Sequence, residues 1–246
     1  VNPEEVFKMA KKYFGPLPEG ETRALKSLEE VEQKGIKHVT VKRPAELPYL
    51  MMAFKTPVIK PGSEKKENFD WEPYALEVLA GILDGGSSAR IASRLVRGSE
   101  VAAGASAGYR MVSRLDNLFI MSGTPSKDKT IKELEAALRN EIKDLQNNLV
   151  TKEELQRVKA QVISSDVYEK DSVFYQAMIL GTLETVGLSW RLADIYVDSV
   201  KAVTAEQVMA VAKKYLVDER LTIAELDPLP MDGQVRRPRG GNPHAR

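Results

Sequence analysis

Hydrophobic positions along this chain repeat with two periods, and the change of period divides it. Near the N-terminus Val6, Met9, Ala10 and Tyr13 fall at helical spacing. Asn2 caps that helix, Pro3 takes its first position, and Glu4 and Glu5 complement its positive end, so a short helix ends near Gly15. Residues 16–36 are polar, with Pro16, Pro18, Gly20 and Gly35 as breakers, and read as a linker. His38–Arg43 alternates as a half-buried strand, with Val39 and Val41 inward and His38 outward. Leu47–Thr56 is apolar on both faces, which predicts a central strand covered on both sides. A loop with Pro57, Pro61 and Gly62 leads to a helix that starts at Asp70 and carries Tyr74, Leu76, Val78 and Leu79.

The stretch from Gly81 to Met111 organises the rest of the chain. The helix ends at Asp84, Gly85 and Gly86 turn the chain, and Ser87 or Ser88 caps a second helix with Ile91 and Leu95 on one face. Gly98 and Ser99 release the chain into a strand, Val101–Met111. Alternation puts Val101, Ala103, Ala105, Ala107, Tyr109 and Met111 on one of its faces. So much Ala and Gly is poor strand chemistry. It suits a place where another backbone, a helix or a bound peptide, comes close. Leu118–Ser122 pairs with this strand as a hairpin across Leu115, Asp116 and Asn117.

Helical spacing then takes over. Leu134 and Leu138 mark one helix, and Thr151 with Glu154 forms a capping box that opens the next. Val173–Val186 is a third, in which Gly181 costs ~1 kcal/mol against Ala unless close packing requires it. Ser189 caps Trp190–Val197, and Thr204 with Gln207 forms a second capping box. Leu221–Ala224 is the last strand. Strands and helices segregate, which predicts an α+β, two-layer fold: a mixed or antiparallel sheet with helices on one face.

Composition narrows the chemistry. Of 246 residues, 43% are hydrophobic, enough for a substantial core. With 36 basic against 35 acidic residues the net charge is +1, which argues against the strongly basic surface of a nonspecific nucleic-acid binder. The absence of cysteine excludes disulfides, cysteine nucleophiles and thiolate metal sites. No apolar run approaches the ~18 residues of a membrane span. The N-terminus carries neither an initiator methionine nor a signal peptide and reads as an interior cut. Only His38 and His244 are present. A zinc site of the His-x-x-Glu-His or His-Glu-x-x-His kind needs two histidines on one helical face, and neither motif occurs. The run Gly85–Ser88 could cradle a phosphate at a helix start, but it lacks a nearby lysine, and an ordinary turn and cap is the stronger reading.

At these same residues the chain resembles a family. Leu83–Arg90, Arg94–Arg97 and Val101–Ala107 look like the second homologous domain of the pitrilysin/insulinase/mitochondrial-processing-peptidase zinc peptidases, bacterial members above all. Pro44–Tyr49, Trp190–Ala193, Val203–Val208 and Ala212–Leu216 extend the match. The resemblance implies two similar α+β domains closing around a peptide, the first bearing zinc and the second none. It implies residues 1–15 as the terminal helix of the preceding domain, 16–36 as the connection, 37–227 as the inactive peptidase-like domain and 228–246 as a basic tail. This chain alone would then hold no metal and have no catalytic residue; zinc would belong to the parent protein. Arg97 matches an arginine that contacts substrate in the family, with a cation at a helix C-terminus as its alternative role. The companion tyrosine position falls on Ala103, and Tyr109 is not counted as its replacement. Expected partners are the zinc-bearing half, in the same protein or as a sister subunit, a peptide substrate and possible second copies in a homodimer. Nucleic acid and a membrane span are not expected. The periplasm is preferred to the cytoplasm. A scaffold or interaction subunit without proteolytic role is the alternative.

Overall fold

The computed structural model describes residues 1–18, 20 and 31–231. The tail beyond Met231, with His244, and most of the segment read as a linker lie outside the described residues. Contacts divide the chain into two units, 1–32 and 33–246.

The first unit contains α1, Pro3–Phe14. Asn2 Oδ1 accepts from Glu4 N at 3.0 Å, Pro3 fills the first turn, and Gly15 N donates to Lys11 O at 3.0 Å. These are the start and stop signals the sequence carries. None of its residues is buried.

The second unit opens with β1 (Lys37–Pro44) and β2 (Tyr49–Thr56), followed by α2 (Glu72–Asp84). Asp70 caps α2 from two residues upstream, its Oδ1 accepting from Glu72 N at 3.0 Å. After a π-helical turn, Ile91–Val96, come β3 (Ala102–Gly108) and β4 (Asn117–Pro125). The helical block is α3 (Ile131–Asn147), α4 (Lys152–Lys170), α5 (Val173–Thr185), α6 (Leu192–Ala202) and α7 (Ala205–Tyr215), and β5 (Leu221–Leu229) closes the unit. Capping boxes at Thr130, Thr151 and Thr204 start α3, α4 and α7.

The five strands form one sheet in the order β1-β5-β2-β4-β3. β1 and β5 are parallel and the other neighbours antiparallel, so the sheet is mixed. Leu50, Met52 and Phe54 of β2, Phe119 and Met121 of β4, and Leu221 and Ile223 of β5 share one face through the strand register. All seven are at most 3% exposed and pack under α2, α3 and α7. Each such side chain contributes about 1.5–3 kcal/mol by leaving water. The fold is the α+β, two-layer arrangement that the segregation of periods predicts.

At several points the local structure departs from the sequence pattern. β2 is central, but its second face is largely open: Tyr49 and Met51 there are 40% and 37% exposed, while Ala53 is buried. All of β1 is exposed, including Val39 and Val41, because β1 is an edge strand beyond the reach of the helices. His38 lies on the helix-bearing side of the sheet, where its Nε2 is 3.1 Å from Glu225 Oε1, and the two valines lie on the open side. Neither Ser87 nor Ser88 caps a helix; the π turn starts at Ile91 without a side-chain cap, although Ile91 and Leu95 are buried as their spacing requires. The small-residue strand is shorter than Val101–Met111, and its alternation breaks. Ala102 pairs with Pro125 and Gly104 with Thr124, so Ala103 is the extra residue of a β-bulge. Ala102 is buried and Ala103 exposed, the reverse of strict alternation, and Ala105 and Ala107 resume the inner face. Ser189 does not start α6 as its N-cap; Arg191 takes that place without a side-chain bond.

Close packing explains one glycine and not another. A Cβ on Gly81 would stand 2.7 Å from Val158 Cγ1, so α2 and α4 cross where only hydrogen fits. A Cβ on Gly181 would meet nothing within 4 Å. Gly81→Ala should therefore lose about 1–3 kcal/mol by forcing Val158 and α4 outward. Urea denaturation of the chain checks this; an unchanged midpoint would show that α4 yields freely.

Candidate functional site

The turn after α2 is built by oxygens and their donors. Gly86 has φ +93°, a conformation that favours glycine. Arg157 of α4 donates from Nη1 to Gly85 O at 2.7 Å, and Gln161 donates from Nε2 to the same oxygen at 2.9 Å. Arg97 donates from Nη2 to Ser87 O at 2.6 Å. Asp84 Oδ2 accepts from Ala107 N at 3.1 Å and so caps the outer edge of β3. A phosphate cradle needs free amides facing inward. Here Arg157, Gln161 and Arg97 hold carbonyl oxygens of the run, so it is an ordinary turn, without the helix cap that the sequence suggests.

Arg90 lies just beyond this turn and is 4% exposed. Its Nε and Nη2 donate to Glu154 Oε1 and Oε2 at 2.6 and 2.9 Å, and its Nη1 donates to Asp144 Oδ2 at 2.8 Å. Arg94, one turn on, donates to Glu141 and Asp144 at 3.0 and 3.2 Å. The hydrogen bond from Arg90 holds the Glu154 carboxyl below the usual carboxylate range. Bonding to Asn148, then to Arg94, lowers that of Asp144, whereas burial raises that of Glu141. The network fixes the π turn to α3 and α4.

The π turn closes through Arg97 N donating to Ala92 O at 3.2 Å and Ser99 N donating to Arg94 O at 2.8 Å. Turns of this kind are rare and concentrate at functional sites. Arg97 ends this turn and is exposed. Glu100, at φ +51°, then swings the chain into β3. Ala103 is the exposed residue of the bulge. Tyr109 is committed elsewhere: its hydroxyl donates to Pro57 O at 2.5 Å, and burial pushes its pKa up. It supplies no phenol in place of Ala103.

A concavity of about 890 Å³ opens between α2, α4, α5 and α6. Glu77 lies in its wall and Tyr196 donates to Glu77 Oε1 at 2.8 Å. Glu77 Oε2 and the Tyr74 hydroxyl are buried without a partner. Burial pushes the Glu77 carboxyl above its ordinary range. Neither Arg90 nor Glu77 announces itself in the sequence, since their partners lie 64 and 119 residues away. Only the Thr151–Glu154 capping box signals that Glu154 is held.

Among the described residues no group of three or more His, Asp or Glu could hold a metal ion. His38 faces a single carboxylate on an exposed strand. The donor set of the described residues does not fit a zinc centre.

Residues 1–162 match the sequence model of the peptidase M16 inactive domain. The chain belongs to that family. No curated protein sequence matches it. Among solved structures, a protease from Helicobacter pylori superposes with TM-score 0.82 at 19% identity, over 93% of this chain and 53% of that one. A peptidase M16 inactive domain from Pseudomonas fluorescens superposes with TM-score 0.73 at 20% identity, over 93% and 52%. The periplasmic protease PqqL of Escherichia coli superposes with TM-score 0.70 at 12% identity, over 93% and 26%. At these identities the likeness is one of fold. This M16 inactive domain spans about half the length of the Helicobacter and Pseudomonas chains.

Two measurements probe the buried charges. Arg90→Ala leaves Glu154 without its cation and Asp144 with Arg94 alone, and should lose about 3–5 kcal/mol in denaturant unfolding. A loss under about 1 kcal/mol would mean that water replaces the guanidinium. For Glu77 the sign runs the other way. Its raised carboxyl contributes stability below the unfolded carboxylate range and loses it as pH rises through the folded value. Glu77→Gln should therefore match the parent melting temperature near pH 4 and exceed it increasingly toward pH 8. A constant difference across that range would show that Glu77 does not titrate on unfolding.

Proposed function

We propose that this domain is the non-catalytic half of a zinc metallopeptidase, closing over a peptide held against the zinc-bearing half. The observation that carries the reading is the family match over residues 1–162 to an inactive domain. The sheet supports it. Val39, Val41, Tyr49, Met51 and Leu118 form an apolar open face with exposures of 37–48%, a wall suited to a partner half or to peptide side chains. On this reading α1 closes the preceding domain, the segment after it connects the halves, and residues 37–227 form the inactive domain. On this reading zinc and the general base would belong to the other half, and this domain would supply neither. The periplasm is the proposed compartment, as for PqqL.

Arg97 is the proposed substrate contact. Its guanidinium is exposed and one of its nitrogens already holds Ser87 O, which fixes its direction while leaving further donors for a peptide carbonyl. Ala103 favours a second reading, a scaffold subunit with no proteolytic role. A phenol that could steady an oxyanion is missing there.

Reconstitution tests both. This chain, mixed with a zinc-bearing half or joined to one, should cleave an unfolded peptide, with the activity abolished by a chelator. In that assembly Arg97→Ala should lower kcat/KM about tenfold or more, as loss of a charged donor does, with unchanged melting temperature. Equal turnover would confine Arg97 to bracing the Ser87 turn. No cleavage by any such assembly would favour the scaffold.

A further inference from the structure

α5 is apolar around its whole circumference, and it carries no charged residue from Val173 to Leu183. A helix of that composition belongs in a protein interior. Yet Leu183 is its only buried residue. With the end of α4 it exposes Val167, Tyr168, Val173, Phe174, Met178 and Leu180, each 41–82% exposed. These fractions amount to roughly 700 Å² of apolar surface, more than the ~300–600 Å² of the largest patch on a typical monomer. It is close to the ~800 Å² that one partner contributes to a standard interface. α5 packs on α4 and α6 in the helical layer, away from the open sheet face that the proposed zinc-bearing half would use.

We infer that this surface binds a second copy of the chain through an antiparallel crossing of the two α5 helices. Ala177 and Gly181 are one turn apart on α5, and among the described residues nothing lies within 4 Å of where a Gly181 Cβ would stand. A helix interior without charge meets no like-charge repulsion when two copies face each other across a twofold axis. A crossing at this point sets Ala177 of one copy against Gly181 of the other, at the close approach small residues allow. Phe174, one turn before Ala177 and 80% exposed, joins the contact. An anionic lipid surface fits less well, because Asp166, Glu169 and Asp194 line that concavity and its Lys170 is paired with Asp166.

Sedimentation equilibrium of the chain across the micromolar range tests the inference, and its result does not depend on any zinc-bearing half. A reversible dimer is expected. Phe174→Asp and Gly181→Leu should each raise its dissociation constant about tenfold or more, a size usual for a central contact. Gly181→Leu should leave the monomer's melting temperature equal or higher, because a Cβ there meets no described atom within 4 Å and leucine favours a helix over glycine. A monomer at every concentration overturns the inference. So does a dimer insensitive to both substitutions, or a monomer that cosediments with anionic lipid vesicles.

Discussion

The structure depends on the fork of Arg90. A guanidinium buried among carboxylates of two helices is stable only with every donor directed, because desolvation of an ion costs several kcal/mol. Glu154 answers with both oxygens while the same carboxylate accepts from Thr151 N at 2.9 Å to open α4. One residue thus starts a helix and fastens the π turn to it. Asp144 extends the hold to α3. The turn after α2 is gripped by Arg157 and Gln161 of the same α4. The exposed residues further along, Arg97 and Ala103, owe their positions to this frame.

The frame also explains the bulge. The π turn and Glu100, at φ +51°, deliver the chain to β3, whose pairing with β4 must absorb one residue too many. Ala103 takes up that excess and turns outward. Asp84, at the end of α2, then captures Ala107 N on the strand's free edge. Helix end, turn and strand are therefore one mechanical unit, tied by bonds at both of its ends.

The legibility of these features in the sequence depends on the reach of each signal. Caps act within three residues, so Asn2, Thr151 and Thr204 are readable from their neighbours alone, and the change from alternating to helical spacing carries the α+β class. Whether a strand face is covered depends on what lies above it. Tyr49 and Met51 look like core in sequence, and they are apolar residues on an open face. Alternation places Ala103 on one face with Ala105 and Ala107 because it assumes an unbroken ladder, and a bulge leaves no mark in a run of Ala and Gly. Arg90 is silent in the sequence, since nothing local distinguishes a buried arginine from a solvated one. Arg97, by contrast, stands out by resemblance, and the structure leaves it exposed with a fixed direction.

The domain leaves two apolar areas in water on different layers: the open face of the sheet and the flank of α5 and α4. At about 25 cal/mol per Å², covering either one yields far more than the helix propensity lost at a glycine such as Gly181. That inequality gives Gly181 a physical meaning. A helix interior that tolerates glycine where no neighbour demands it gains nothing inside this chain, and gains close approach only if something else arrives. The same reasoning applies to β1, which is exposed along its whole length and carries valines on the open side. Its stability rests on hydrogen bonds to β5 and on ion pairs such as Lys42 with Asp227, and surface pairs of this kind contribute at most about 1 kcal/mol. An edge held so lightly, beside an apolar face, is the part of the domain with most to gain from a second surface.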